Sequence, residues 1–239
     1  MVCACEEPFS IMDYLQHPFN CCVVGVTGCG KTHWTVSALN RIYPRPEEVF
    51  WCYTQAQPAY GNIDAHFIRG MPEDMETILQ RPTRKVVVLD DLMEELGNSK
   101  VIQNLFTRGT HHTDTSVIVL LQNMFHQGKS MRTISLNSHY MVLFKNPRDK
   151  SQIIHIAKQM TPQDTKYLVD AYNKATEKQY GYLFCDFKQS TPEDLRFRTD
   201  IFTDAPTVYL PIKGSAAFDS SSVGDRPSRC QHDFERTHF

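Results

Sequence analysis

The stretch Cys21-Cys-Val-Val-Gly25-Val-Thr-Gly-Cys-Gly30-Lys31-Thr32-His-Trp34 decides the fold. Gly25 to Thr32 is an unbroken G-x-x-x-x-G-K-T. Ahead of it, Cys21 to Val24 is a short apolar run suited to a buried strand. Behind it, Lys31 to Tyr43 predicts a helix with Trp34, Ala38, Leu39 and Ile42 along one face. A strand, a glycine-rich turn and a helix in this order are the context a phosphate-binding loop requires. The glycines let backbone N–H groups converge on phosphate oxygens at the positive end of the helix dipole. The candidate phosphate-binding residues are therefore Gly25, Thr27, Gly28, Cys29, Gly30, Lys31, Thr32 and His33. In such a loop Lys31 reaches the β- and γ-phosphates and the Thr32 hydroxyl holds magnesium. ATP and Mg²⁺ are the expected cofactors.

Working outward, apolar strands recur at Val49 to Tyr53, Lys85 to Asp91, Ser116 to Gln122, Tyr140 to Phe144 and, as a final strand, Tyr182 to Asp186. Residues 54 to 71 are turn-rich. Helices are predicted near Pro72 to Gln80, Asn98 to Thr110, Ser130 to Asn137, Ser151 to Gln159 and Pro162 to Thr176. A Thr-Pro cap opens the last of these, and a further short helix starts at Thr191. Strands that are apolar throughout and separated by helices call for a parallel sheet covered on both faces. The fold class is α/β. Residues 1–20 form a leading segment with an aromatic cluster of Phe9, Tyr14 and Phe19, 21–212 the nucleotide-binding domain, and 213–239 a polar tail expected to be disordered.

Beyond the loop, Val86 to Asp91 delivers two acids from a buried strand. Asp90 is the candidate to orient the magnesium shell, through water. Asp91 is the candidate carboxylate that polarises an attacking water. Gln122, with Asn123 beside it, ends the Ser116 strand, where a terminal amide can sense the γ-phosphate and place water. Arg108, in Phe106-Thr-Arg-Gly-Thr-His-His112, stands at a helix end. It either complements the dipole or projects to a neighbouring subunit as a trans-acting cation; Arg132 and Arg148 are its rivals. His111 and His112 face apart on regular structure and make a poor metal pair.

With 239 residues, 41% hydrophobic and 22% charged, the chain has the composition of a globular protein with a sizeable core. Its net charge of −2 gives no global basic field for nucleic acid, although a ring can line its pore with few cations per subunit. The N-terminus has neither a basic region nor a long apolar stretch, so a signal peptide is not expected. No run approaches a membrane span. The eight cysteines form no C-x-x-C pair, which argues for reduced, buried thiols.

These residues resemble the viral genome-packaging ATPases of the FtsK–HerA superfamily, in the poxvirus-like branch found in large DNA viruses, polinton elements, adintoviruses and virophages. The resemblance runs over residues 9 to 203 through Pro18-Phe19, Phe50-Trp-Cys-Tyr53, Gln57-Pro-Ala-Tyr60, VVVLDD, FTRGTHH, VIVLLQNMF, HYMVLFKNPRD and TPEDLRFRTDIF, in that order. It implies a RecA/FtsK-like core and a translocase that pumps double-stranded DNA into a preformed capsid as a homo-oligomeric ring, hexameric or pentameric. It further implies contact with capsid or portal-vertex proteins, and a place in the infected cell, nucleus or cytoplasm, or with the virion. It assigns Lys31 and Thr32 to the first nucleotide motif, Asp90 and Asp91 to the second, Gln122 to the sensor and Arg108 to the trans-acting arginine. Lys129, Arg132, Lys145 and Arg148 are candidates for the DNA pore. Three readings stand beside this one: a phosphate-loop kinase, a nucleotide switch without turnover, and a helicase on forked DNA. The first is disfavoured by the lack of an arginine-rich lid, and the second by the intact Lys31, Thr32, Asp90 and Asp91.

Overall fold

Four continuous apolar runs set the centre of the sheet, because strands buried on both faces need no polar alternation. They are β3 (Asn20–Val24), β7 (Lys85–Asp90), β8 (Thr115–Leu121) and β9 (Tyr140–Phe144), and nearly every residue in them is buried. The computed structural model describes residues 2–6, 15–92, 95–96, 99–109, 113–124 and 129–211; for 2–6, 62, 108–109 and 129–130 it describes the backbone alone. Phe9, Tyr14, His111, His112 and the expected tail at 213–239 lie outside these residues.

The remaining strands are β1 (Val2–Glu6), β2 (Leu15–Gln16), β4 (Ile42–Tyr43), β5 (Glu48–Tyr53), β6 (His66–Arg69), β10 (Tyr182–Asp186), β11 (Phe197–Thr199) and β12 (Thr207–Pro211). Among the described residues they build a ten-stranded sheet in the order β1-β12-β11-β10-β9-β3-β8-β7-β5-β6, with β2 and β4 paired separately. From β9 to β6 every pairing is parallel, whereas β10, β11, β12 and β1 continue the sheet antiparallel. The α/β fold expected from the sequence is the fold observed, extended by this antiparallel flank. Tyr182–Asp186 is thus not the last strand.

The helices are α1 (Lys31–Leu39), α2 (Met75–Leu79), α3 (Lys100–Asn104), α4 (Lys129–Leu136), α5 (Ser151–Met160) and α6 (Thr165–Ala175). The two faces separate residue by residue along each strand. Cys22, Val24, Val87, Leu89, Val117 and Val119 join α2 to α6 on one side. Cys21, Val23, Val86, Val88, Ile118 and Leu120 pack on the other against Trp34 and Ala38 of α1.

Several boundaries differ from the sequence reading. The first helix ends at Leu39, because Ile42 and Tyr43 pair in parallel with Leu15 and Gln16 instead of continuing the turn. The segment after β5 holds a 3₁₀ turn (Pro58–Asn62) and the edge strand β6. The α3 helix is capped by Ser99, whose hydroxyl accepts from the Ile102 N–H, and passes into a π-helical turn at Leu105–Gly109. The α6 helix is capped by Asp164, not by Thr161-Pro162: its carboxylate accepts the Tyr167 N–H at 3.0 Å. No helix among the described residues is long and apolar enough to cross a membrane.

One buried polar relay pins the segment before β3 to β8. The Ser116 hydroxyl accepts from the Phe19 N–H at 3.1 Å and shares a hydrogen bond with His17 Nδ1 at 2.6 Å, while His17 Nε2–H donates to Asp114 Oδ1 at 3.0 Å. A neutral imidazole satisfies both contacts, with Ser116 as the donor to Nδ1. Burial holds the His17 pKa below its ordinary 6.5, with Asp114 pulling the other way. Stability from this site is therefore complete above about pH 6.5 and is lost as pH falls through the depressed folded value. Thermal melts of the parent chain should show a Tm that declines as pH falls below about 6.5, and His17→Gln should flatten that decline. Identical slopes in the two proteins would contradict the assignment.

Candidate functional site

Three neighbouring strands end at the same level. Val24 of β3 pairs with Leu121 of β8, and Leu120 of β8 pairs with Asp90 of β7. The next residue along each chain is Gly25, Gln122 and Asp91, respectively. Because β8 lies between β3 and β7, the amide of Gln122 falls between the glycine-rich loop and the second acid. The Gly25 N–H extends the ladder by one bond, donating to the Leu121 carbonyl at 3.0 Å.

The loop owes its course to its glycines. A Cβ on Gly25 would sit 2.5 Å from Cys29 Sγ and 2.7 Å from Phe144 Cβ, so only glycine fits there. Gly28 and Gly30 have φ of 77° and 109°, values that disfavour a side chain. Gly30 is the N-cap of α1 and no side chain caps that end, which leaves first-turn N–H groups for an anion.

A cavity of about 640 Å³ opens over these elements, lined by Thr27, Gly28, Gly30, Lys31, Thr32 and His33, by residues 54–57 and 59, and by Asp90, Asp91 and Gln122. Five of the chemical candidates, Lys31, Thr32, Asp90, Asp91 and Gln122, therefore share one cleft. Gly25 and Cys29 do not line it. Gly25 instead offers its carbonyl to Lys31 Nζ at 2.6 Å, with the Val26 carbonyl at 3.2 Å. The Cys29 thiol is half-buried, and burial raises its pKa despite the nearby Lys31 ammonium, which favours the thiol form.

The two acids differ in setting. Asp90 is 4% exposed and its Oδ2 accepts from the Tyr60 hydroxyl at 2.7 Å. Burial raises its pKa, with the Tyr60 hydrogen bond and the Lys31 charge opposing. Asp91 is exposed, sits at φ 59°, and receives Gln122 Nε2–H at 3.0 Å and 3.1 Å on its two oxygens. One acid is thus locked in place while the other faces the cleft, oriented by an amide.

Magnesium prefers oxygen donors and keeps several waters and substrate phosphates in its shell. The residues present fit that demand. Thr32 Oγ1 gives its proton to Gln57 Oε1 at 3.0 Å, so its lone pairs remain for a cation, and Asp90 supplies a fixed carboxylate nearby in the same cavity.

Other candidates fall elsewhere. Asn123 turns from the cleft to α5, accepting from Gln152 Nε2 at 3.0 Å. Arg108 is on the π-helical turn, and its side chain lies outside the described set, as does that of Lys129. Lys145 and Arg148 are exposed on the loop after β9, and Arg132 is exposed on α4. Sequence reading gave no role to Gln57 and Tyr60. The segment Gln57-Pro-Ala-Tyr60 carried the only signal, a polar and an aromatic residue flanking a proline turn.

The sequence matches no family model and no curated protein. Among solved structures, the chain is similar to the genome packaging NTPase B204 from Sulfolobus turreted icosahedral virus 2 in complex with ATP-gammaS. That likeness has a TM-score of 0.51 at 12% identity, over 73% of this chain and 94% of that one. It is also similar to B204, the DNA-packaging ATPase from Sulfolobus turreted icosahedral virus, with a TM-score of 0.51 at 11% identity, over 82% of this chain and 99% of that one. At such identities the likeness establishes the fold alone, a largely parallel sheet flanked by helices that this chain shares with those proteins.

Proposed function

We propose that this chain is an ATP-driven motor that moves double-stranded DNA, of the viral genome-packaging type, working as a homo-oligomeric ring in an infected cell. The observation that carries the reading is the Gln122–Asp91 pair, held at adjacent strand ends in the cleft that contains Lys31 and Thr32. An exposed carboxylate braced by an amide suits activation of water, so the acceptor of the phosphoryl group is water and the reaction is hydrolysis. The ordered sequence segments and the fold shared with packaging ATPases support the motor over a kinase.

In this reading, Lys31 leaves the Gly25 and Val26 carbonyls to meet the β- and γ-phosphates. Thr32 and Asp90 would hold the magnesium ion, which would neutralise phosphate charge when bound. Gln122 positions a water and Asp91 accepts its proton as the oxygen attacks the γ-phosphorus, whose bond to the β–γ bridging oxygen breaks so that ADP leaves with that electron pair. Arg108 is proposed as the cation supplied across the subunit interface, worth about 10³–10⁵ in rate in related systems. Lys145, Arg148 and Arg132 are proposed to meet DNA phosphates, an attraction that weakens steeply with salt.

Displacement of a third strand from duplex DNA tests the motor directly. The parent chain with ATP should strip a triplex-forming strand from a long duplex, and Arg108→Ala subunits should regain part of that activity when mixed with Lys31→Ala subunits. Separation of a forked duplex with no triplex displacement would point to a helicase. Phosphorylation of an added nucleoside would point to the kinase.

A further inference from the structure

A second cavity, of about 660 Å³, adjoins the phosphate loop at Gly30 and has aromatic walls: Trp34, Phe144, Tyr180, Tyr182 and Phe202. It shares Gly30 and His33 with the cleft described above, so the two spaces meet at the start of α1. We propose that this cavity receives the base and ribose of the nucleotide, with Tyr180 as the stacking residue.

The direction of the substrate follows from the site already placed. Gln122 and Asp91 mark the γ-phosphate end, so the rest of the nucleotide extends away from them, past Gly30 and His33, into the aromatic cavity. Tyr180 is well placed for such contact. A Cβ on Gly30 would lie 3.4 Å from Tyr180 Cδ1, which puts the ring against the loop itself. Yet Tyr180 is 61% exposed, a large aromatic surface that the fold leaves uncovered. Its φ of 62° is unusual for a bulky residue and marks a backbone position held by its surroundings. Trp34, also in the lining, packs edge-on to Tyr182 at 6.1 Å and tilted on Phe202 at 5.4 Å. Asp200 and Thr203 add polar groups to the lining, as the amino and hydroxyl groups of a nucleoside require.

This inference rests on the nucleotide-binding reading, and inorganic tripolyphosphate separates the two. Tripolyphosphate fills the phosphate loop but has nothing to place in the aromatic cavity. Stacking of one base on an aromatic ring is worth about 1–3 kcal/mol, or about 5- to 150-fold in Kd. Tyr180→Ala should therefore weaken ATP by at least about fivefold and leave tripolyphosphate unchanged. Tyr180→Phe should bind both as the parent does. Tyr180→Asn, whose residue type tolerates positive φ, should repeat the alanine result without backbone strain. Unchanged ATP affinity in the alanine and asparagine variants, or an equal loss for both ligands, would overturn the base site while leaving the phosphate site standing. Failure of the parent chain to bind either ligand would overturn the nucleotide reading itself.

Discussion

Asp91→Asn should hydrolyse ATP about 10²–10⁴-fold more slowly than the parent chain and bind it about as tightly. The substitution removes the proton acceptor and almost nothing else. Asn is the residue type best suited after glycine to the φ of 59° at this position. Its side-chain oxygen can still accept from Gln122 Nε2, which now donates to both carboxylate oxygens of Asp91. The side chain is exposed, so no buried charge is stranded and the melting temperature should hold. Phosphate release measured beside equilibrium binding separates the two effects. Parental turnover in the variant would show that the carboxylate takes no part in proton transfer.

Lys31→Ala should act on the other quantity. In the free chain the Lys31 ammonium donates to two carbonyls of its own loop, Gly25 and Val26. Phosphate oxygens offer it a full charge partner in a half-enclosed cleft. Truncating one member of such a pair costs about 2–5 kcal/mol, so affinity for ATP should fall by about 30-fold or more. Lys31→Arg, which keeps the charge with a different shape, should recover part of it. A titration calorimetry or fluorescence measurement decides this, and an unchanged Kd would remove Lys31 from the site.

The two variants together bear on how the site is laid out. Residues at strand ends were legible in the sequence, because a continuous apolar run followed by Gly25, Asp91 or Gln122 announces where a buried strand stops and chemistry starts. The spatial order of those strands was not legible. That β8 lies between β3 and β7 depends on long-range pairing, and it is this order that sets Gln122 beside Asp91.

Elements missed in the sequence share a physical cause. Strand β6 reads His66-Phe-Ile-Arg69 at the sheet edge, with mostly exposed side chains, so no apolar run marks it. Strand β11 is only three residues long and buries Arg198, whose guanidinium meets the Asp186 carboxylate at 3.0 Å. A charge in a strand reads as a loop until its partner on β10 is known. Ile42 fell in phase with the face of α1, yet its backbone is satisfied by β2, a pairing invisible to local periodicity. Tyr60 likewise gains its contact with Asp90 only once the segment after β5 folds back over β7. Each of these depends on a partner distant in sequence.

The most direct test of the central claim is phosphate release from ATP by the purified chain, with and without long duplex DNA and with magnesium present. A motor of the kind proposed hydrolyses ATP, is stimulated by the duplex, and loses both properties in Lys31→Ala and Asp91→Asn. Turnover that ignores DNA, or that survives both substitutions, would contradict it.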